Sequence, residues 1–181
     1  MQIDNCIHIA LCPQNDRDLI YAHQKVYQPN QFIMADLIKE PESKVYGACS
    51  FRLNSMSIKY RAAHITPTKS GQFVTLWKRV GRGPIEPFDF ADLIDLFVIG
   101  VRNCDNDRFG QFVFPKNMLL QKGIVSTNGR GGKRAIRVYC PWDVTESRQA
   151  KATQAWQLNY FLEIPLHASI NRDVLKKLYS I

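Results

Sequence analysis

The chain has 181 residues, with 24 Lys and Arg against 16 Asp and Glu and a formal charge of +8. That length suits one domain of about 100–200 residues, and 45% apolar with 22% charged residues excludes the disordered and collagenous classes. Its most apolar stretch, Leu93–Val101, contains Asp95 and falls well short of the roughly 18 residues that a membrane span needs, so no membrane partner is expected.

The first residues, MQIDNCIHIALC, carry Asp4 and no Lys or Arg before a short apolar stretch, which argues against an export signal. Bulky Leu11 before Cys12 argues against lipidation. Five scattered cysteines (Cys6, Cys12, Cys49, Cys104, Cys140), with no C-x-x-C pair, then read as reduced thiols of a cytosolic protein. Cys6, His8 and Cys12 supply too few ligands for a metal.

Residues 14–28 have helical spacing, with Asn15 as a cap, Leu19, Ala22 and Val26 on one face, and Pro29 as a stop. Phe32–Ile38 is a short apolar piece of undecided type. Val45–Leu53, Met56–Thr66 and Phe73–Arg79 are rich in aromatic and β-branched residues and predict a three-stranded meander. Gly81–Asp89 reads as a Gly/Pro loop, and Leu93–Val101 as a strand buried on both faces. Gln111–Phe114 predicts another strand, followed by a helical turn from Pro115 that Gly123 closes. Lys133–Tyr139 predicts a strand after a flexible basic hairpin tip, Gly129–Arg134. Thr145–Glu163 predicts one long helix, capped by Thr145, with Ala155, Leu158 and Leu162 on its apolar face beside Phe161. Ile170, Val174 and Leu178 predict a short amphipathic helix at the end. GQFV occurs at Gly71 and again at Gly110, too short an echo to be a repeat. The expected class is α/β with α+β character: a single domain over 1–181, with a mixed central β-sheet flanked by helices.

The charge is unevenly distributed. Residues 43–85 and 108–142 together carry +15 and no acid, and the remainder carries −7. Such segregation can build a positive face for a polyanion, or it can mark the solvated sides of strands. Lys69 stands at a predicted strand end among Thr66, Thr68 and Ser70. A lysine ringed by hydroxyls can hold a phosphate or orient a water, which makes it the candidate catalytic residue. Gln72, Trp77, Lys78 and Arg79 follow closely with polar and stacking groups. Lys133 and Arg134 could clamp a nucleic-acid backbone, although GRGGKR is not a phosphate-loop motif. Arg148 and Lys151 open the long predicted helix, where exposed N–H groups and cations together suit an anion. Trp156, like Trp142, could stack on a base. Glu86 and Asp89 are the weak metal candidates, in a cluster with Asp92 and Asp95; His64 reads as structural.

The string YGACSFRL…RAAHITPTKSGQFVTLWKR…GPIEPFD, from Tyr46 to Asp89, resembles the MepB family of bacteria. DLFVIGV, GQFVFPK, QKGIVST, RVYCPWD and RQAKATQAWQ continue the resemblance in order, over about 14–163, leaving 1–13 and 164–181 as extensions. The family takes its name from a staphylococcal operon that also encodes a multidrug efflux pump and its repressor. The order of elements also resembles a restriction-endonuclease core. In that fold a carboxylate opens the second core strand and an acid-x-lysine pattern ends the third. Here those places hold Tyr46-Gly47 and Thr66-Pro67-Thr68-Lys69, so the lysine is matched and the carboxylates are not. Glu42 or the Glu86–Asp95 group would substitute only if folding brought them to Lys69. The leading expectation is a cytosolic nucleic-acid-binding protein on a nuclease-like, catalytically degenerate core, with no cofactor. An active Mg²⁺-dependent nuclease is the second. A module binding a small anion or an acidic protein, linked to efflux, is the third.

Overall fold

A computed structural model describes residues 14–179. Cys6, His8 and Cys12 lie outside the described residues, as does the side chain of Asn15. Helix α1 (Gln14–Ala22) passes through a wider π turn (His23–Tyr27) and a 3-10 turn containing Pro29, and Gln31 in the left-handed region reverses the chain. The undecided piece becomes an edge strand, β1 (Met34–Lys39), bulged at Asp36.

The expected meander does not form. After a 3-10 turn (Lys44–Tyr46), β2 (Cys49–Leu53) and β3 (Met56–Ala62) join the central sheet. The chain then leaves that sheet at Ala63, and β4 (His64–Thr66) and β5 (Lys69–Thr75) build a second one. The predicted Gly/Pro loop contains β7 (Ile85–Pro87), which pairs with β6 (Trp77–Arg79) as a separate hairpin. Strand β8 (Leu96–Arg102) lies parallel to β3, and β9 (Phe109–Pro115) returns antiparallel to it. Helix α2 (Lys116–Gln121) and β10 (Ala135–Val138) follow.

The long predicted helix is shorter than its pattern. Ser147, not Thr145, caps α3 (Arg148–Gln157), its hydroxyl accepting from the Ala150 N–H. A 3-10 turn then leads into β11 (Phe161–Glu163), which pairs with β9. Leu162 and Phe161 are therefore strand residues facing opposite cores. Helix α4 (Arg172–Tyr179) ends the described chain.

The central sheet runs β1-β2-β3-β8-β9-β11 and the second sheet β10-β5-β4. With one parallel pair among antiparallel ones, the central sheet is mixed and flanked by helices, the expected α+β class. Strand β8 supplies side chains to both cores, as its unbroken apolar sequence requires. On one face Val98, Ile58 and Tyr60 pack against Leu19, Val26 and Tyr27 of the first helical segment and Leu175 and Tyr179 of α4. On the other, Phe97, Ile99 and Phe112 pack against Val74 of β5, Ile136 and Val138 of β10 and Leu119 of α2. Gly100 is needed in β8 because a Cβ there would lie 2.4 Å from the Tyr60 hydroxyl. Cys49 and Cys140 are buried thiols and Cys104 is exposed; no helix among the described residues is long and apolar enough to cross a membrane.

Candidate functional site

The second sheet brings the two acid-free segments together. Strand β5 belongs to the first and β10 to the second, and they pair antiparallel from Gln72↔Val138 to Thr75↔Ala135. One face of this sheet is core; its edge strand β10 forms the floor of an open cleft of about 390 Å³ beside α3. The lining includes Lys122, Lys133, Arg137, Tyr139, Thr153 and Trp156, and no Asp or Glu. Exposed Arg134, Arg148 and Lys151 adjoin lining residues in the chain.

Local chemistry fixes this floor. Strand β10 is an edge, and α3 covers its open backbone with two glutamines one turn apart. The Gln157 side chain accepts from the Tyr139 N–H at 2.8 Å and donates to the Arg137 carbonyl at 2.9 Å. Gln154 donates to the carbonyls of Cys140 and Asp143. Arg137 donates across the sheet to the Gly71 carbonyl and, at 2.7 Å, to the Thr66 hydroxyl, which makes it a fixed positive group. Gly71, at φ +75°, admits the Tyr139 ring; a Cβ there would stand 2.6 Å from it. Trp156 is half-buried against Phe114 and Tyr160, and Lys122 lies 5.3 Å from its ring centroid.

The remaining sequence candidates scatter. Lys69 and Ser70 line a neighbouring depression with Cys104, Trp142, Asp105 and Asp143, so acids share the space beside the lysine. Thr68 is exposed at the β4–β5 turn, and Ser70 donates to the Val144 carbonyl. Gln72 is buried, with its amide bonded to the Arg102 carbonyl at 2.8 Å, so it is a structural residue. Lys78 is paired with Asp92 and lies 3.8 Å from Glu86; Arg79 is held by Glu42 at 2.6 Å and lies over Trp77. The loop 129–134 is not a free hairpin tip: the Gly129 N–H donates to Asp89 at 2.9 Å and the Lys133 N–H to the Ile124 carbonyl.

Neither weak metal candidate is open. The Asp89 carboxylate accepts from the Gly129 and Ala91 N–H groups and the Ser126 hydroxyl, which hold its pKa down at about 2. Glu86 faces Lys78. Asp95 accepts from the Ser57 N–H. None of these, nor Glu42, lines the depression that holds Lys69.

A charged cluster that the sequence reading passed over sits on the central sheet. Lys59 and Arg61 project from the same face of β3, and Glu40 accepts from both. Phe88 lies over both cations, at 5.7 and 5.8 Å, and Arg61 is only 2% exposed. Burial pushes the Glu40 carboxyl up, but the charges of Arg61 and Lys59 outweigh it and hold the group below its ordinary value. The signal available was a same-face i, i+2 cation pair between apolar residues, Ile58-Lys59-Tyr60-Arg61-Ala62. Two cations on one carboxylate leave a positive site that disfavours a divalent metal.

Comparison with known proteins gives one family. In fold the chain is similar to a solved crystal structure of MepB, with a TM-score of 0.69 and 31% identity, covering 83% of this chain and 97% of that one. It is also similar to a bacterial homing endonuclease at 15% identity and a TM-score of 0.46, covering 80% of this chain and 88% of that one. No curated protein matches it. A family model described as MepB-like matches residues 40–163, a span that runs from the Glu40 cluster through both walls of the cleft to β11. The chain is a member of the MepB-like family.

Proposed function

We propose that this protein binds nucleic acid in the cleft between β10 and α3 and does not cleave it. The observation that carries the reading is the cleft lining, which joins Lys122, Lys133 and Arg137 to Tyr139 and Trp156 without an acidic side chain. Cations track phosphates, and aromatic rings receive bases. The exposed Arg134, Arg148 and Lys151 beside the cleft extend the positive surface past the dimensions of a small anion. Catalysis is left out because the candidate acids are engaged elsewhere: Asp89 by its own loop, Glu86 by Lys78, Glu40 by Lys59 and Arg61. Beside Lys69 the Asp143 carboxylate accepts from the Cys140 N–H, and no three metal-ligating side chains cluster among the described residues. Metal-assisted hydrolysis needs carboxylates free to hold the ion beside the scissile phosphate.

The test is equilibrium binding of labelled DNA and RNA across a salt series, with Mg²⁺ or Mn²⁺ added in a parallel cleavage assay. Binding on the order of micromolar at low salt, weakening steeply as salt rises, supports the reading. No binding at low ionic strength overturns it, as does an affinity flat with salt, which would favour a small ligand. Multiple-turnover cleavage abolished by both Asp89→Ala and Lys69→Ala would replace it with a metal-dependent nuclease.

A further inference from the structure

We infer that the cleft takes single-stranded nucleic acid, with one base stacked on Trp156, and with little preference among bases; the inference rests on the nucleic-acid reading above. Trp156 is a platform rather than a loose surface residue. Phe114, at 5.3 Å and 47°, and Tyr160, at 6.5 Å and 65°, hold its ring against the core. Its other ring contact is the ammonium of Lys122, an exposed side chain 5.3 Å from the centroid. An incoming base covers the ring more fully than an ammonium does, and the displaced lysine is then free to meet the phosphate beside that base. One event therefore supplies a stack and an ion pair from residues that already touch.

A duplex cannot use this platform. Its bases are covered by their neighbours above and below, and only their edges reach the grooves. The cleft, about 390 Å³, has the scale of a small-ligand site and accepts a nucleotide, not a double helix. Its polar lining is largely spent on the fold. Both polar atoms of the Gln157 amide bond the backbone of β10, and Arg137 bonds β5 and β4. Among the described residues, the buried polar atoms without a partner belong to Glu42, Tyr60, Arg61, Gln111 and Trp142, none of which lines the cleft. Among the described residues no buried, unsatisfied side-chain donor or acceptor waits there to read a base edge, and a π-face is common to every base.

The experiment measures the full chain binding four labelled oligomers of one length: (dT), (dA), an abasic strand and a duplex. Single strands should bind about tenfold more tightly than the duplex and the abasic strand, with (dT) and (dA) within a few-fold of each other. Tryptophan fluorescence should quench on binding the base-bearing strands only. Trp156→Leu should lose the tenfold preference for bases while keeping the abasic affinity. The abasic comparison needs no variant, so it decides the matter even if that substitution disturbs packing on Phe114. Equal affinity for abasic and base-bearing strands, or tighter binding of the duplex, overturns the inference while the nucleic-acid reading stands. Failure to bind any of the four at low salt overturns both.

Discussion

Arg61 occupies a place where a charge survives only because another charge accompanies it. It is 2% exposed, one of its nitrogens bonds the Tyr60 carbonyl, another bonds Glu40, and Nε has no partner. Removing one member of a buried ion pair leaves the other uncompensated, typically at about 3–5 kcal/mol, whereas the cost stays small where the remaining member keeps another partner and partial solvent contact, as Glu40 does. Glu40→Ala should therefore lower stability by about 3 kcal/mol in urea unfolding, since Lys59, itself a cation, cannot compensate Arg61. Arg61→Met should cost under about 1 kcal/mol, since Glu40 keeps Lys59 and the methionine packs beneath Phe88. If Arg61→Met proved the worse of the two, the cluster's stability would lie in the guanidinium and not in the pairing. The i, i+2 cations were visible in the sequence. Their burial was not, because Phe88 reaches them from beyond the β6–β7 hairpin.

Edge strands must be paired, covered or disguised, and β10 is covered by side chains. Gln157 replaces a missing strand neighbour at two backbone groups, Tyr139 N–H and Arg137 C=O. A Gln157→Leu change keeps the volume and removes both bonds. Each orphaned backbone group costs about 1–3 kcal/mol, so the loss should be about 2–4 kcal/mol in urea, with faster amide exchange at Tyr139 than within β10. Exchange unchanged at Tyr139 would mean that water takes the glutamine's place. These roles explain where the sequence misleads at this scale. In Thr145–Glu163 the helical spacing of Ala155, Leu158 and Leu162 is real, but Leu158 is 37% exposed and Leu162 lies in a strand whose partner, β9, is remote in the chain. Met56–Thr66 reads as one strand because nothing at Ala63 breaks the pattern; the division depends on which sheet each half pairs with. Within Leu93–Val101 the strand from Leu96 is legible because a strand covered on both faces needs no partner to explain its composition, although Leu93 is 92% exposed and precedes it.

Across the whole molecule the charge asymmetry is expressed as geometry. The two acid-free segments are neighbours in the second sheet, and the cleft opens beside β10, lined by the second segment and α3. Their cations are nevertheless not equivalent. Lys133 lines an acid-free cleft, whereas Lys69 shares its depression with Asp105 and Asp143. A lysine neutralising one phosphate contributes about one unit to the log–log salt slope of binding. Lys133→Ala should thus flatten that slope by about one unit and weaken binding several-fold, while Lys69→Ala leaves the slope unchanged. The reverse pattern would move the binding surface to the β4–β5 turn, where the sequence alone places it. Lys133, Arg134 and Trp156 were legible as candidates because their residue types declare the chemistry. Lys122 and Arg137 escaped because only the fold brings α2 and β10 to one cleft.

The pairing of β5 with β10 joins Thr75 to Ala135 and Gln72 to Val138, positions separated in the chain by the β6–β7 hairpin, β8, β9 and α2. Contacts of such long range are made late, after loop-closure entropy has been met by more local structure. A growing chain that stops before Ala135 would carry the whole of the first basic segment and, of the cleft, only Lys122, Ile124 and Lys133, without the β10 floor or the α3 wall. Ligand affinity is therefore tied to completion of the fold: a partly synthesised or truncated chain has the charge but not the site, and a nucleic acid bound in the cleft selects the finished state by mass action.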